Sequence, residues 1–325
     1  MPDLSAYLTG SCESFRRFVD ELEAVATSDA TVLFQGESGV GKGAAARALH
    51  AASPRASGPF CIVSLAALAP TLIESALFGH EQGAFTGASR ARLGLFRQAH
   101  GGSLVLDDVD LLPREAQVKL LRVLQERVVE PLGAEEPVPI DVRVIATTNR
   151  DLRTEVEDGA FREDLFYRLA VVTLAVPPLR ARRGDLEALV GRLSERVAER
   201  LGTPRRELSP AALERLAAHP WPGNVRELEN ALERIHVLGG GGPVQIGELG
   251  FLDESVAGRA DDLARAALAA GLVVDDMALA MMQLALAEER GNVSAAARRV
   301  GLTRRAFDYR MSRADDGADP QEDDA

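Results

Sequence analysis

The chain has 325 residues, of which 46% are hydrophobic and 26% charged, enough apolar material for two or three packed units. Its formal charge of −12 excludes a protein coated in basic nucleic-acid surface, and its two cysteines, Cys12 and Cys61, exclude both a disulfide framework and a zinc site built on cysteine spacing, so a reducing compartment is expected. The first residues hold no signal-peptide core and no stretch approaches about 18 uninterrupted apolar residues, which predicts a cytoplasmic protein with no membrane contact.

In chain order, residues 31–35 (TVLFQ) read as a short strand that runs into Gly36 and then into an alanine-rich helix ending near residue 52. Apolar runs at 60–65, 103–106, 142–146 and 171–176 read as further strands, separated by helical patterns of which 114–128 is the clearest. Strands alternating with helices predict an α/β fold, a parallel sheet covered on both faces. From Pro177 the pattern changes to three helices, 184–201, 210–218 and 224–238, as expected of a small helical lid. Four consecutive glycines, Gly239 to Gly242, mark a linker, and only helices follow it: 262–270, 275–290, 294–300 and 303–313. The expected divisions are therefore an α/β subdomain at 1–176, a lid at 177–238, a linker at 239–261, an all-α module at 262–313 and a disordered tail at 314–325. Charge is segregated along them. Residues 288–313 hold seven arginines against three acidic side chains, whereas 314–325 hold six acidic side chains and no basic one. A basic module inside an acidic chain predicts localised nucleic-acid contact.

Two motifs carry nucleotide chemistry. Gly36-Glu37-Ser38-Gly39-Val40-Gly41-Lys42-Gly43 lies between a predicted strand and a predicted helix, the setting of a P-loop. Its glycines let backbone N–H groups wrap phosphates, the helix N-terminus favours negative charge, and Lys42 reaches the terminal phosphates of ATP. Gly43 stands where such loops usually carry a hydroxyl for Mg²⁺. Leu104-Val105-Leu106-Asp107-Asp108 reads as an apolar strand delivering carboxylates at its C-terminal end, a Walker B strand, with Asp107 as the Mg²⁺ ligand. The following residue is normally a Glu that polarises the attacking water. Asp108 has the same charge but is one methylene, about 1.5 Å, shorter, and misplacement by about 1 Å can cost on the order of 10²-fold in rate.

Between these motifs stands Gly83-Ala84-Phe85-Thr86-Gly87-Ala88. Glycines at both ends allow tight turns, and a lone aromatic among small residues suits an exposed anchor. The combination resembles the bacterial enhancer-binding proteins, the AAA+ activators of sigma-54 RNA polymerase, in which this hexapeptide tips a loop that touches the sigma factor. The resemblance runs from about residue 8 to residue 313. It implies a switch residue at Ser64, where the family carries Asn, and a γ-phosphate sensor at Thr148 and Asn149. It also implies arginine fingers at Arg162 and Arg168 that reach the ATP of a neighbouring subunit. Residues 221–230 (WPGNVRELEN) resemble the family's lid signature, with Arg226 as the lid's sensor arginine. From residue type, Asn224 is expected to N-cap the last lid helix and Trp221 to pack in the core.

Residues 292–311 resemble a Fis-type helix-turn-helix. Ser294 is expected to cap its first helix, Ala295 to Ala297 to permit close crossing, Gly301 to make the turn and Thr303 to cap the second helix. Thr303, Arg304, Arg305, Tyr309, Arg310 and Arg313 form the expected DNA-binding set, the first two arginines placed to read base edges and the last two to meet phosphate. The preceding helix, with Met281, Met282, Leu284 and Leu286, is the expected dimer face.

The resemblance implies a sigma-54-dependent activator that binds upstream DNA, assembles into a homo-oligomer from dimer to hexamer, and uses ATP and Mg²⁺ to remodel the closed promoter complex of the sigma-54 polymerase holoenzyme. Because the motifs begin near residue 10, control by a separate regulatory protein in trans, or none, is expected rather than an attached receiver domain. Asp108 and Ser64 keep open an alternative, a nucleotide-gated DNA-binding regulator with weak or absent ATPase, acting as a repressor or as the passive half of a hetero-oligomer. A general AAA+ remodelling ATPase accounts for neither the hexapeptide nor the helix-turn-helix.

Overall fold

The computed structural model describes residues 4–84, 90–252, 267–268, 271, 273–289 and 291–316. They belong to two compact units, residues 1–249 and 250–325. The first unit begins with α1 (Glu13–Ala26), β1 (Val32–Gln35), α2 (Lys42–Ala51), β2 (Phe60–Ser64) and α3 (Pro70–Phe78). A short hairpin, β3 (Gly79–His80) and β4 (Arg92–Leu93), precedes α4 (Leu95–Gln98), β5 (Ser103–Asp107) and α5 (Arg114–Glu126). A second hairpin, β6 (Val128–Val129) and β7 (Val138–Pro139), leads into β8 (Arg143–Thr148), α6 (Leu152–Glu157), α7 (Glu163–Leu169) and β9 (Val172–Ala175). The lid is α8 (Leu186–Leu201), α9 (Pro210–Ala218) and α10 (Asn224–Leu238).

The sheet is five-stranded and parallel in the order β2-β5-β8-β1-β9. Alternate residues of its central strands serve opposite faces. Leu33, Leu104, Leu106, Val144 and Ala146 join one apolar cluster with α3 and α5. Val32, Phe34, Val105 and Ile145 join another with α1 and α2. Burial on both faces is why these strands read as continuous apolar runs. Each fully buried Leu, Ile or Val contributes roughly 1.5–3 kcal/mol relative to exposure. The helix α1 presents Phe15, Phe18, Leu22 and Val25 on one side at three- and four-residue spacing. Register aligns the strand ends: Ser64 pairs with Asp107, Leu106 with Ala146 and Gln35 with Thr148. The P-loop and the acidic residues therefore meet at the carboxyl edge of the sheet, where ligands of open α/β sheets bind.

Several expectations need correction. The helix expected over 114–128 stops at Glu126, because Arg127 adopts a left-handed backbone (φ 59°) and the β-branched pair Val128 and Val129 turns into β6. Strand β2 ends at Ser64, and Leu65 begins a 3-10 turn. Of the expected linker at 239–261, residues 243–249 are folded onto the lid. Val244 is fully buried and bridges to Leu208, and Leu249 is buried too. The nearly buried Arg206 gathers this segment, donating to Glu248 at 2.8 and 3.0 Å, to the Gly242 carbonyl at 3.0 Å and to the Ile235 carbonyl at 3.0 Å. Composition marked the glycines, but two apolar side chains and one carboxylate just beyond them supply the packing.

The second unit contains α11 (Val274–Glu288), α12 (Val293–Arg299) and α13 (Arg304–Asp316). Met282, Ala285, Ala296, Ala297 and Phe307 form its core. Of the helix expected at 262–270 only residues 267 and 268 are described, both helical with Ala267 buried. Of the disordered tail expected at 314–325, residues 314–316 instead continue α13, and 317–325 lie outside the described residues. No helix among the described residues is long and apolar enough to cross a membrane.

Candidate functional site

The P-loop turns on Gly39 (φ 77°) and Gly41 (φ 106°), left-handed positions that suit glycine, and α2 starts at Lys42. Lys42 is mostly buried, and its ammonium donates to the carbonyls of Gly36 at 2.8 Å and Glu37 at 3.1 Å. Burial pulls its pKa down, opposed by the nearby charges of Asp108 and Asp107. A cavity of about 480 Å³ opens beside it, a size typical of small-ligand sites. Ser38 to Gly43, Asp107, Asp108 and Arg226 all line this cavity. Gly36 and Glu37 do not: a Cβ on Gly36 would meet the Val176 carbonyl at 2.9 Å, and Glu37 turns to the lid. Val40 is anchored in the apolar cluster under α1. Gly43 is sterically open, with no atom within 4 Å of a built Cβ.

The carboxylates at the end of β5 are held by β8. Thr147 donates its hydroxyl to Asp107 at 2.6 Å and accepts the Asp108 N–H at 3.2 Å. Nothing in the sequence sets Thr147 apart from its neighbour Thr148. Thr148, expected as the phosphate sensor, is fully buried and donates to Asp110 at 2.6 Å. Asn149 is exposed, and neither residue lines the cavity. Asp108 has a left-handed backbone (φ 60°), which Asp tolerates better than most residues. Burial raises its pKa first, Asp107 and Asp110 add to that, and Lys42 and Arg226 oppose it. Ser64 sits beside Asp107 in register, but among the described contacts its hydroxyl makes no hydrogen bond to Asp108.

The lid docks on the P-loop through the turn before α10. Asn224 is fully buried and left-handed (φ 54°), and it is not a cap: Gly223 occupies that position, its N–H bonded to Glu227 at 2.7 Å. The Asn224 amide accepts from the Leu179 N–H at 2.8 Å and donates to Glu37 at 3.0 Å and the Ser38 carbonyl at 3.1 Å. Arg226 donates to the Ser38 hydroxyl at 2.9 Å, and its N–H reaches the Gly39 carbonyl at 3.2 Å. Arg180 clasps Glu37, and with Asn224 it pulls that carboxyl's pKa down to about 2. Trp221 is buried as expected, its indole N–H donating to the Leu216 carbonyl at 2.8 Å.

Arg162 and Arg168 lie at the start and in the last turn of α7, and neither lines the cavity. The Arg162 guanidinium is paired with Asp164 at 2.7 and 3.0 Å. Of the hexapeptide, Gly83 and Ala84 are described and Phe85, Thr86, Gly87 and Ala88 lie outside the described residues. The loop leaves from an antiparallel base, β3 with β4. Glu81 N–H and Leu132 N–H bond to the carbonyls of Leu132 and Gly79, both at 2.9 Å, tying that base to the β6–β7 hairpin.

In the second unit Gly301 makes the turn (φ 73°), and Thr303 caps α13 by accepting the Ala306 N–H at 3.3 Å. The cap of α12 is Asn292, accepting from the Ala295 N–H at 3.2 Å, while Ser294 lies inside the helix. Arg304, Arg305, Tyr309 and Arg310 are exposed along α13, and Arg304 stands 3.7 Å from Asp308. Arg313 falls within α13, and its side chain lies outside the description. On α11, Met281 and Leu284 are exposed, but Met282 and Leu286 pack into the unit's own core and so leave the expected dimer face.

A P-loop, an acidic strand end and a lid arginine around one cavity, on a five-stranded parallel sheet, define an AAA+ ATPase, and the second unit adds a DNA-binding helix-turn-helix. Residues 8–175 match the sigma-54 interaction domain, 180–261 the AAA+ ATPase lid domain and 279–313 the Fis family of bacterial regulatory proteins. The lid match spans the segment expected as linker, in keeping with the packing of residues 243–249 on the lid. The chain is 44% identical over 310 residues to the transcriptional regulatory protein ZraR of Klebsiella oxytoca, covering 94% of this chain and 68% of that protein. It is 43% identical over 307 residues to the Nif-specific regulatory protein of Azotobacter vinelandii, covering 94% and 58%. NtrX of Brucella abortus, crystallised with ATP, superposes with a TM-score of 0.68 at 34% identity, covering 94% of this chain and 68% of that one. The chain belongs to the sigma-54-dependent transcriptional regulators.

Proposed function

We propose that this chain activates transcription by ATP-driven remodelling of the sigma-54 RNA polymerase closed complex. Exposed arginines of α13 bind upstream DNA, and the first units assemble into a ring, up to a hexamer, with ATP between subunits. The observation that carries this reading is the incompleteness of the site in a single chain. The cavity is lined by Ser38 to Gly43 of the P-loop, Asp107, Asp108 and Arg226, whereas Arg162 and Arg168 lie elsewhere on the surface. A neighbouring subunit supplies them, so turnover depends on assembly. Lys42 and the P-loop N–H groups hold the phosphates, Asp108 orients the attacking water, and Arg226 reports nucleotide to the lid. Asp107 and Asp108 are hard oxygen donors that fit Mg²⁺, which takes one or two carboxylates together with substrate phosphates. When bound, the cation would neutralise charge on those phosphates. The loop carrying Gly83 to Ala88 delivers the resulting motion to the sigma factor.

Hydrolysis is slow but real on this reading, because Asp108 is short and, among the described contacts, the Ser64 hydroxyl makes no hydrogen bond to it. The same observation favours the second reading, a nucleotide-gated DNA binder with little turnover, acting as a repressor or beside a partner chain. ATP turnover across a protein concentration series, beside Lys42→Ala and Asp108→Glu, decides between them. Turnover that rises with assembly and vanishes in Lys42→Ala supports the activator. A flat baseline restored only by Asp108→Glu, alone or with Ser64→Asn, overturns it.

A further inference from the structure

Gln117, on α5, is almost fully buried and outside the cavity, and no step above uses it. Its amide nitrogen donates to the Leu112 carbonyl at 2.9 Å and to the Ala160 carbonyl at 3.1 Å. Its amide oxygen accepts the Arg162 backbone N–H at 2.9 Å. Only a primary amide offers two donors and an acceptor in that arrangement. Leu112 ends the turn that begins at Asp108, and Ala160 and Arg162 frame the start of α7. A second set of contacts converges on the same place. Asp110, which holds Thr148, lies 3.5 Å from Arg150; Arg150 donates to Glu155 at 2.8 Å; and the Glu155 carbonyl accepts the N–H groups of Ala160 and Phe161, both at 2.9 Å.

We propose that Gln117 is a positioning residue, tying the Arg162 segment of a subunit to the turn that follows that subunit's own Asp107 and Asp108. This rests on the reading above, in which Arg162 completes the ATP site of a neighbour. The backbone of Arg162 is fixed at its N–H while, among the described residues, its guanidinium is held by the surface carboxylate of Asp164, so the side chain can be handed to the neighbour from a located base. A shift of the Asp108 turn is passed to Leu112, through the Gln117 amide, to residues 160–162. One subunit's nucleotide state thereby sets where its finger stands in the next site.

The test is steady-state ATP turnover by the full chain at assembling concentrations, with nucleotide affinity measured separately by a fluorescent ATP analogue. The variants are Gln117→Met, which removes all three bonds; Gln117→Glu, which keeps the shape and the Arg162 acceptor but sets oxygen against both carbonyls; Arg162→Ala; and the Gln117/Arg162 doubles. Displacement of the finger by about 1 Å predicts a loss in kcat of about 10- to 100-fold in both Gln117 variants, with analogue affinity changed less than about twofold. In the Arg162→Ala background the Gln117 changes should add nothing further, since the finger they position is gone. If Arg162→Ala lowers turnover and the Gln117 losses multiply with it, the finger stands and the Gln117 link is overturned. If Arg162→Ala leaves turnover unchanged, the finger assignment falls and this proposal with it. A weakened analogue affinity at unchanged kcat also overturns it.

Discussion

Asn224→Asp isolates the contact between lid and P-loop. Asp preserves the shape, tolerates the left-handed backbone and keeps the acceptor for the Leu179 N–H, so the fold of the turn is not at issue. The change exchanges the donor that faces Glu37 at 3.0 Å and Ser38 at 3.1 Å for a carboxylate oxygen. Glu37 is ionised at neutral pH, its pKa drawn to about 2 chiefly by Arg180 and then by Asn224 itself. Two unit charges about 3 Å apart repel by roughly 5 kcal/mol at an effective dielectric of about 20 and by roughly 1.4 kcal/mol in water. The Glu37 side chain is 43% exposed, which screens the repulsion, but position 224 is fully buried, so the penalty lies between those two figures and about tenfold in an equilibrium is its lower bound. That penalty falls on docking of the lid, so ATP affinity should weaken at least about tenfold, with a fall in melting temperature beside it. Adding Glu37→Gln replaces the repulsion with an amide donor and should recover most of the loss. An Asn224→Asp variant with unchanged nucleotide affinity, or a Glu37→Gln addition that deepens the defect, would refute the latch. In the parent protein, Glu37 is depressed from 4.5 to about 2, so its contribution is complete above about pH 4.5 and is lost as pH falls toward 2.

Gly39→Ala places a Cβ 2.3 Å from the Gly223 carbonyl on a backbone at φ 77°. A left-handed non-glycine residue costs roughly 1–2 kcal/mol, and the lid turn must retreat as well, so both melting temperature and nucleotide affinity should fall. A neutral melt would show that the turn does not rest on the loop. Gly43→Ala has the opposite sign: its Cβ meets open space in the first turn of α2, and replacing a helical glycine is worth up to about 1 kcal/mol. A raised melting temperature with intact turnover is expected, and a drop would contradict the helix assignment. Phe307→Ala empties the centre of the second unit's core, at a cost of about 3–5 kcal/mol. DNA retention should be lost in a mobility-shift assay while ATP turnover survives, and retained DNA binding would count against Phe307 as that unit's keystone.

What was legible in the sequence is what sits on contiguous chain. The P-loop, the acidic strand end, the lid signature and the second-unit helices each occupy a few adjacent residues, and the strands announced themselves because burial on both faces makes them uniformly apolar. Residue type names the right cap at Thr303 but, at two other helix starts, is off by a residue or two. Asn292 and Ser294 are both good N-caps by chemistry, and only the helix start at Val293 puts the Asn292 oxygen against the Ala295 N–H. Asn224 has the chemistry of a cap too, yet its positive φ turns the amide toward the P-loop and leaves the helix end to Glu227.

The remainder of the site depends on pairing between strands that lie far apart in the chain. Thr147 and Thr148 are chemically identical neighbours, and alternation along a strand sends them to opposite sides. Leu106 pairs with Ala146, which sets Thr147 beside Asp107 and turns Thr148 toward Asp110. A slip of one residue would exchange the two roles. Apolar burial on both faces of β5 and β8 gives no alternation from which that register could be read. The same holds for Gln117, whose amide serves three backbone groups from segments that meet only after α5 packs against α7. A side chain that satisfies main chain leaves no partner residue in the sequence to betray it. Such buried amides and hydroxyls around a known motif are therefore where the folded structure adds most to the chemistry of this site.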